Sequence, residues 1–401
     1  MSVSSSHPKV TVLIADDSPF MRTALTRMVE SDDSLRVIGT AQSGLDALAK
    51  IDALQPDVVT LDIDMPGMDG LETLKRVMAE KPRPVIIVSS LARRGAEATI
   101  EALELGAFDC IAKGLSYASE DVLKVQNELV SKIKAAAGPY FFGASAPGAR
   151  ILEAGESVRA HASAAAASVS RSIMPATRVP VLQMPAPRIS RRPDPLPPLT
   201  TASKAIVPAV IAIAASTGGP KALNGLLSAL PANLPVPILV VQHMPVGFTA
   251  PFAKHLDDNC HLQVSEAKQG DLMQAGHVYV APAGKHLTVR RRSASEVVVN
   301  LALLPSNVLH IPSADVMMSS VAEVFGSSAM GIILTGMGDD GTRGMKAIFS
   351  AGGLTLGQDQ ATCVVYGMPR SCAEMGVLSQ VVPLHDIPRR ILGIVRERKA
   401  H

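Results

Sequence analysis

A short stretch in the second half of the chain carries residues whose types and order could do nucleophilic chemistry. Residues 211–215 are small or branched apolar side chains that predict a buried strand, which stops at Ser216. Thr217 and two glycines follow, and Pro220 opens a predicted helix. This turn would hold the Ser216 hydroxyl at the open end of a sheet, near backbone N–H groups. A nucleophile with an oxyanion hole, a phosphate-binding loop and a plain strand–helix connection all fit this pattern.

Two later strand ends carry the partners that a serine nucleophile needs. His243 follows the predicted strand 236–241, and Asp339 and Asp340 lie in a glycine-rich turn after another predicted strand. A serine nucleophile requires a base within hydrogen-bond reach, and the base requires an orienting carboxylate. Because the carboxyl ends of parallel strands share one edge of a sheet, these side chains can converge on Ser216.

Two common serine and phosphate motifs are absent from the sequence. The GxSxG elbow of α/β-hydrolases is missing because Ala214 stands at its first glycine, and the order Ser, His, Asp also differs from theirs. No GxxxxGK[ST] loop occurs, which argues against a P-loop nucleotide site.

A second group of chemically capable side chains follows predicted strands in the first half of the chain. These strand ends carry Asp16 and Asp17, then Asp62, Ser89 and Lys113. Carboxylates brought together repel one another unless a cation compensates, and Mg²⁺ prefers oxygen ligands. A metal bound by Asp17 and Asp62 would leave one Asp62 oxygen able to attack phosphorus. The Ser89 hydroxyl and Lys113 could then hold the transferred phosphoryl oxygens.

The elements that position both groups alternate short apolar strands with helical patterns. This alternation predicts the α/β class, with two doubly wound parallel-sheet domains whose sites lie at the strand ends. Between them, residues 138–203 are rich in Ala, Pro, Ser and Arg and lack apolar periodicity, which predicts a long disordered linker.

Composition and charge limit the classes of protein that fit. The 401 residues include 38 basic and 36 acidic side chains, a net charge of +2 that argues against a strongly electrostatic nucleic-acid binder. The four cysteines lie far apart without a CxxC pair, which favours reduced thiols over a disulfide framework or zinc site. No apolar run reaches transmembrane length and no secretory leader is recognisable, so we expect a soluble, cytoplasmic protein without membrane insertion.

The first half of the chain resembles a response-regulator receiver domain over residues 9–126. The resemblance is carried by the motifs ADDS at 15–18, LDIDMPGMDG at 61–70, VSS at 88–90 and AK at 112–113. It implies that Asp62 is the phospho-acceptor and that Asp17, Asp62 and the Asp64 carbonyl bind Mg²⁺. It further implies that Asp16 supports the pocket, Ser89 is the switch hydroxyl and Lys113 is the phosphate partner.

Two residues depart from the receiver pattern. Gly114 stands where a proline usually follows the lysine, and Cys110 stands where receivers usually place an aromatic switch residue. The aromatic form of the switch is therefore not expected in this chain, whereas phosphorylation is.

Residues 204–398 resemble the catalytic domain of chemotaxis protein-glutamate methylesterases, a Rossmann-like three-layer domain. The matching motifs are STGGP at 216–220, QHMP at 242–245, PSAD at 312–315, LTGMGDDG at 334–341 and YGMP at 366–369. The resemblance implies that Ser216 is the nucleophile, His243 the general base and then acid, and Asp340 the orienting carboxylate. For the oxyanion hole, the backbone N–H groups of Thr217 and Met337 are our candidates. Where the family usually reads Gly-Ala-Ser, this chain reads Ala-Ala-Ser at 214–216.

Together the two resemblances imply a receiver-gated esterase for sensory adaptation. Expected substrates are the γ-methyl esters of glutamates on chemotaxis receptors, with methanol as product and receptor glutamines as further substrates. The expected phosphodonor is the chemotaxis histidine kinase, and the esterase step is expected to need no cofactor. Two alternatives remain: a transcriptional response regulator, disfavoured because no helix-turn-helix pattern appears, and a receiver-gated nucleotide-binding module.

Overall fold

The computed structural model describes residues 9–89, 93–113, 119–141, 207–306 and 308–396. Gly114 and all but the start of the predicted linker 138–203 lie outside these residues. A helix occupies that start, since Ser119–Phe141 is helical and continues past residue 126, where the receiver resemblance ends.

The N-terminal half forms a parallel five-stranded sheet in the order β2-β1-β3-β4-β5. Its two central strands, β3 and β4, are buried at every position because helices cover both faces of the sheet. The strands are β1 (Val10–Ala15), β2 (Leu35–Ala41), β3 (Val58–Asp62), β4 (Val85–Ser89) and β5 (Asp109–Ala112). The helices are α1 (Pro19–Val29), α2 (Gly44–Leu54), α3 (Gly70–Glu80), α4 (Arg93–Glu104) and α5 (Ser119–Phe141).

The C-terminal half forms a parallel seven-stranded sheet in the order β14-β13-β12-β6-β7-β9-β8, with a separate antiparallel pair, β10 and β11. Its strands are β6 (Val210–Ala215), β7 (Ile238–Gln242), β8 (Gln263–Glu266), β9 (His277–Val280), β10 (His286–Arg291), β11 (Val297–Ala302), β12 (Ala329–Ile333), β13 (Leu354–Gln358) and β14 (Gln380–Val382). Its α-helices are α6 (Gly219–Ser228), α7 (Thr249–Asn259), α8 (Ala314–Phe325), α9 (Thr342–Ser350), α10 (Met368–Glu374) and α11 (Ile387–Arg396).

The predicted fold class is confirmed, because both halves are parallel sheets built from alternating strands and helices. The predicted strand 211–215 is observed as Val210–Ala215, buried at all positions. Several strands carry too weak an apolar pattern to be predicted. Among them, Leu35–Ala41 is mostly half-exposed and contains a glycine.

The N-terminal and C-terminal halves contact each other through helix α4 of the N-terminal half. Ile100 on this helix is buried in the same apolar cluster as Leu223 of α6. Glu104 accepts a hydrogen bond from Asn224 at 3.1 Å and lies 3.5 Å from Nε2 of His255 on α7. Among the described helices, none is long and apolar enough to cross a bilayer.

Candidate active site

The Ser216 turn lies at the end of β6, between β12 and β7 in the C-terminal sheet. The Ser216 N–H donates to the Thr335 carbonyl at 3.0 Å, and the Ser216 carbonyl accepts from Gly219 at 2.8 Å, where α6 begins. Gly336 packs directly behind the serine, since a Cβ at this position would lie 2.8 Å from the Ser216 Cβ. The backbone of the serine is therefore held by its own turn and by the loop that follows β12.

A glutamine side chain joins the serine turn to the histidine loop. The Gln242 amide donates to the Ser216 carbonyl at 2.9 Å and to the His243 carbonyl at 3.0 Å. The His243 N–H in turn donates to the Ala215 carbonyl at 3.1 Å. These bonds hold His243 beside Ser216 at one edge of the sheet, as the parallel topology requires.

His243 and Asp340 form a direct pair. The His243 Nε2 lies 2.8 Å from the Asp340 Oδ2, and both side chains are mostly buried. Because a carboxylate only accepts hydrogen bonds, Nε2 must carry the proton, which leaves Nδ1 of the neutral ring as the acceptor. Nδ1 is buried and has no hydrogen-bond partner in the described part of the chain. It is the ring nitrogen available to take the Ser216 proton.

The hydrogen bond from the Ser216 hydroxyl to His243 is not formed within the described residues. Catalytic hydrogen bonds are often long before substrate binds and shorten in the reacting complex. The structure thus brings His243 and Asp340 together and places Ser216 on the adjoining loop.

Asp340 is held by the N-terminus of helix α8. It accepts hydrogen bonds from the Ser313 hydroxyl at 2.8 Å and from the N–H groups of Ala314 at 2.7 Å and Asp315 at 3.0 Å. Burial by itself raises the pKa of this carboxyl, but the His243 hydrogen bond and the backbone donors outweigh it and lower the pKa well below its usual range. Asp340 therefore stays ionised, whereas its neighbour Asp339 is exposed to solvent.

The two candidate oxyanion donors lie on the loops that flank Ser216. Thr217 is the next residue, and Met337 lies in the turn anchored through the Thr335–Ser216 hydrogen bond. Neither N–H group donates a hydrogen bond to another described residue, so neither is already engaged within the described part of the chain.

The N-terminal half contacts the Ser216 turn directly. The Asp109 carboxylate on β5 accepts a hydrogen bond from the Thr217 hydroxyl at 2.5 Å. The Lys132 ammonium lies 3.2 Å from Asp109 and 2.7 Å from Glu128. Burial lowers the pKa of Lys132, but these two carboxylates outweigh it and raise the pKa above its usual value. A charge network of partly buried Asp109 and Lys132 with exposed Glu128 thus lies against the residue next to Ser216.

The second predicted cluster forms a compact pocket at the end of the N-terminal sheet. The Lys113 ammonium lies 2.8 Å from Asp16 and 2.6 Å from Asp62, and both aspartates are fully buried. Burial raises the pKa of Asp62 in spite of Lys113. Burial also lowers the pKa of Lys113, but its two carboxylate partners outweigh this and raise the pKa.

The pocket has the donor set that a hard cation requires. Carboxylate oxygens of Asp16, Asp17 and Asp62 all lie within 4.8 Å of one another, and Asp17 is exposed. This fits Mg²⁺, which binds through carboxylates and retained waters. The Asp64 N–H donates to Asp62 at 3.2 Å, which keeps that loop beside the pocket. The Ser89 hydroxyl donates to the Gly95 carbonyl at 3.2 Å, in the first turns of α4.

Comparison with known proteins gives the family. Residues 211–391 match the family model described as CheB methylesterase, and residues 12–123 match the model of the response regulator receiver domain. A protein-glutamate methylesterase/protein-glutamine glutaminase of Nitratidesulfovibrio vulgaris is 45% identical, with 96% of this chain and 99% of the relative covered. This chain belongs to the protein-glutamate methylesterase family. A relative of the same name from Desulfitobacterium hafniense is 40% identical over 97% of this chain and 98% of its own length.

Among solved structures, the methylesterase catalytic domain of Thermotoga maritima is similar to the C-terminal half. It shares 38% identity, covering 47% of this chain and 99% of that domain with a TM-score of 0.46. The two family models confirm both family resemblances read from the motifs.

Two residues that depart from the family patterns, Ala214 and Cys110, are both buried in the structure. Ala214 is fully buried in an apolar cluster that also contains Ile333 and Ala314. Cys110 is buried in the core of the receiver half, and burial raises the pKa of its thiol to about 12. Its carbonyl accepts from Lys132 at 2.6 Å, so this position is tied to the charge network by its backbone.

Several contributors to the methylesterase site were not predicted from the sequence. Gln242 and Ser313 lie within the quoted family motifs, but no role was assigned to either. The sequence does show Ser313 directly before an apolar helical run, which is a helix N-cap pattern, and its hydroxyl accepts from Val316 at 3.4 Å. Asp109 and Lys132 have no sequence signal toward Ser216, because their contact depends on how two separate sheets pack.

Proposed function

We propose that this chain is a serine hydrolase that demethylates glutamate γ-methyl esters on chemotaxis receptors and deamidates receptor glutamines. The observation that carries the proposal is the 2.8 Å pair of His243 and Asp340 beside the Ser216 turn, in a chain of the methylesterase family. Its relatives are named for both activities, methylesterase and glutaminase.

In the acylation step, the Ser216 Oγ attacks the γ-carbonyl carbon of the ester while Nδ1 of His243 takes the hydroxyl proton. The imidazolium so formed is stabilised by ionised Asp340 through Nε2. The C–O bond to the methoxy group then breaks, and His243 returns the proton to the leaving group, which departs as methanol.

Deacylation repeats the same steps with water. His243 takes a proton from water, the hydroxide attacks the acyl carbon, and the Ser216 oxygen leaves with the proton that His243 returns. A glutamine side chain gives the same acyl-enzyme with ammonia as the leaving group. The N–H groups of Thr217 and Met337 would stabilise the oxyanion of each tetrahedral intermediate.

We propose that phosphorylation of Asp62 controls access to this site. The phosphodonor would be the chemotaxis histidine kinase, with donor and receptors both reached from the cytoplasm. Asp17, Asp62 and the Asp64 carbonyl would hold Mg²⁺, which supplies charge neutralisation for the transferred phosphoryl group. Asp16 supports this pocket, and Lys113 would pair with the phosphoryl oxygens.

The contact between Asp109 and Thr217 supports this form of control. In this structure Asp109 engages the residue next to the proposed nucleophile at 2.5 Å, so β5 lies against one side of the site. A carboxylate at this point also opposes the negative charge that develops on the substrate oxygen.

A connected set of contacts leads from β4, which pairs with β3 beside Asp62, to helices α6 and α7, which follow the Ser216 and His243 loops. Ser89 hydrogen-bonds to Gly95 of α4, and α4 packs against α6 and α7 through Ile100 and Glu104. A phosphoryl group on Asp62 would attract the Ser89 hydroxyl and weaken its bond to α4. We propose that this shifts the population toward an arrangement in which Ser216 is open.

The test is methanol release from methylated receptors, with and without a small phosphodonor. We expect release that rises with phosphodonor, is abolished in Ser216→Ala and does not respond to phosphodonor in Asp62→Asn. Ser228→Ala on the exposed end of α6 and Asp33→Asn on the receiver surface are matched controls that should behave as wild type.

Retention of methanol release by Ser216→Ala would exclude the assigned nucleophile. An unchanged phosphodonor response in Asp62→Asn would exclude the assigned phospho-acceptor. A serine-reactive fluorophosphonate should label the wild type but not Ser216→Ala. This labelling distinguishes a hydrolase from a transcriptional response regulator and from a receiver-gated nucleotide-binding module.

A further inference from the structure

A second histidine lies against the catalytic pair. His310 belongs to the segment between β11 and α8, and its ring stacks on the His243 ring with centroids 4.1 Å apart and planes 19° from parallel. The stack leaves the edge of the His243 ring free for its partners. Asp340 therefore binds that edge while His310 covers one face.

This stack restrains a motion that the hydrogen bond to Asp340 leaves possible. A ring held by its Cβ and by one hydrogen bond can still tilt, which would carry Nδ1 out of line with the Ser216 hydroxyl. A flat neighbour against the ring face fixes the plane. Proton transfer is sensitive to this alignment, and small misplacements of a reacting group cost large factors in rate.

The charge state of His310 suits this position. Burial and the neighbouring His243 lower the pKa of His310 to about 4, with Lys132 of the receiver half acting in the same direction and Asp340 opposing it. His310 is therefore neutral near neutral pH. During the reaction it presents a neutral aromatic face to the imidazolium that forms on His243, an attractive arrangement, whereas a second cation would repel it.

We propose that His310 is a positioning residue that holds the His243 imidazole in the plane required for proton transfer with Ser216. The proposal rests on the proposed function, because it concerns how the same base is aligned. It does not assign His310 a contact with substrate.

The experiment compares three variants of the full-length protein in the methanol-release assay. His310→Ala removes the stack, His310→Phe keeps a flat aromatic ring without a titratable group, and Leu309→Ala changes the adjacent side chain, which is 90% exposed. We expect His310→Ala to lower kcat on the order of tenfold with little change in KM, as an aromatic pair and its alignment are worth about that factor. His310→Phe should restore kcat to within roughly a factor of two to three, and Leu309→Ala should match wild type.

Two readouts separate positioning from general loss of structure. Above about pH 5 the pH–rate profile of His310→Phe should have the same shape as that of wild type, because native His310 is already neutral there. The downfield proton resonance of the His243–Asp340 hydrogen bond should be sharp in wild type and His310→Phe and broadened in His310→Ala. This resonance needs no substrate, so it tests the stack even if methylated receptors are not hydrolysed.

Three kinetic results would overturn the proposal. They are wild-type kcat in His310→Ala, failure of folded His310→Phe to restore kcat, and an equal loss in Leu309→Ala. A resonance as sharp in His310→Ala as in wild type would do the same.

Discussion

In the N-terminal sheet, Asp62 lies beside the like charge of Asp16 and is balanced by Lys113 at 2.6 Å. In the C-terminal sheet, Asp340 receives the N–H groups of a helix start together with His243. Both carboxylates follow parallel strands and both are largely buried, yet burial raises the pKa of the first while hydrogen bonds lower the pKa of the second. Topology therefore places a carboxylate at a strand end, and its local donors decide what it can do.

The difference matches the two proposed roles. The surroundings of Asp62 disfavour its charge, which suits a group that binds a cation and accepts a phosphoryl group. The surroundings of Asp340 keep it ionised and fixed, which suits a group that orients an imidazole. The two sites share a steric feature, because Gly70 packs behind Asp62 as Gly336 packs behind Ser216. A Cβ on Gly70 would lie 2.1 Å from the Asp62 carbonyl oxygen.

The sharpest test of the comparison is Asp340→Asn. An amide can donate to Nε2, which favours the wrong tautomer and leaves Nδ1 unable to accept the serine proton, so we expect kcat for methanol release to fall about 10³–10⁴-fold. Asp339→Asn is the matched control, since that neighbour is exposed. An equal loss in both variants, or a loss below about tenfold in Asp340→Asn, would contradict the assignment.

Gly336→Ala tests whether Ser216, the proposed nucleophile, is held by close backbone packing. The new methyl group would meet the Met368 sulfur at 2.3 Å and Ser216 at 2.8 Å, so the serine turn must shift. We expect a cost of about 1–3 kcal/mol in the free energy of unfolding and a loss of activity on the order of tenfold or more. Gly225→Ala on α6, where a Cβ meets nothing within 4 Å, should leave activity unchanged and should not lower the free energy of unfolding, since alanine favours a helix over glycine. Full activity in Gly336→Ala would show that this packing does not matter for catalysis.

Asp109→Asn addresses the contact that joins the two regions. Loss of the carboxylate weakens a charge-assisted hydrogen bond to Thr217 and removes negative charge beside the proposed oxyanion site. We therefore expect unphosphorylated activity to rise on the order of tenfold, with the phosphorylated maximum unchanged. Glu128→Gln is the control, because Glu128 shares Lys132 with Asp109 but is not the partner of Thr217. Basal activity that stays at the wild-type level in Asp109→Asn would mean that the contact does not restrain the enzyme.

The smallest expected effect is on stability and its pH dependence. The raised pKa of Asp62 means that folding favours its protonated form, so stability falls as pH rises through the interval above the ordinary carboxyl value. Asp62→Asn should then raise the Tm of the receiver transition by a few degrees at most near neutral pH, with the difference vanishing in acid.

The lowered pKa of Asp340 has the opposite sign. Its stabilisation is complete above the ordinary carboxyl value and is lost as pH falls below it. Asp340→Asn should accordingly lower the Tm of the catalytic transition near neutral pH and have a smaller effect in acid. Calorimetry across this pH range measures the Tm of both variants. Tm shifts of the same sign in Asp62→Asn and Asp340→Asn would contradict the opposite effects expected for the two carboxylates.

Much of the fold was readable because the buried strands are continuous apolar runs that end in polar residues. The strand at 58–61 and the acidic residue after it are an example, since a fully buried strand leaves no choice of exposed face. Weakly patterned strands such as Leu35–Ala41 were missed because half-exposed positions tolerate polar residues and glycine. The order of strands within each sheet likewise could not be predicted from local sequence patterns.

The sequence by itself determined the residue types at the strand ends, from Asp62 and Lys113 to Ser216, His243 and Asp340, because parallel topology brings such ends to one edge. Tertiary structure alone decided which ring nitrogen of His243 faces Asp340, which helix N-terminus lowers the pKa of Asp340, and that His310 covers the imidazole. It also decided that Asp109 of one sheet reaches Thr217 of the other. These contacts join residues far apart in the chain through the packing of separate elements. Local sequence patterns do not predict that packing.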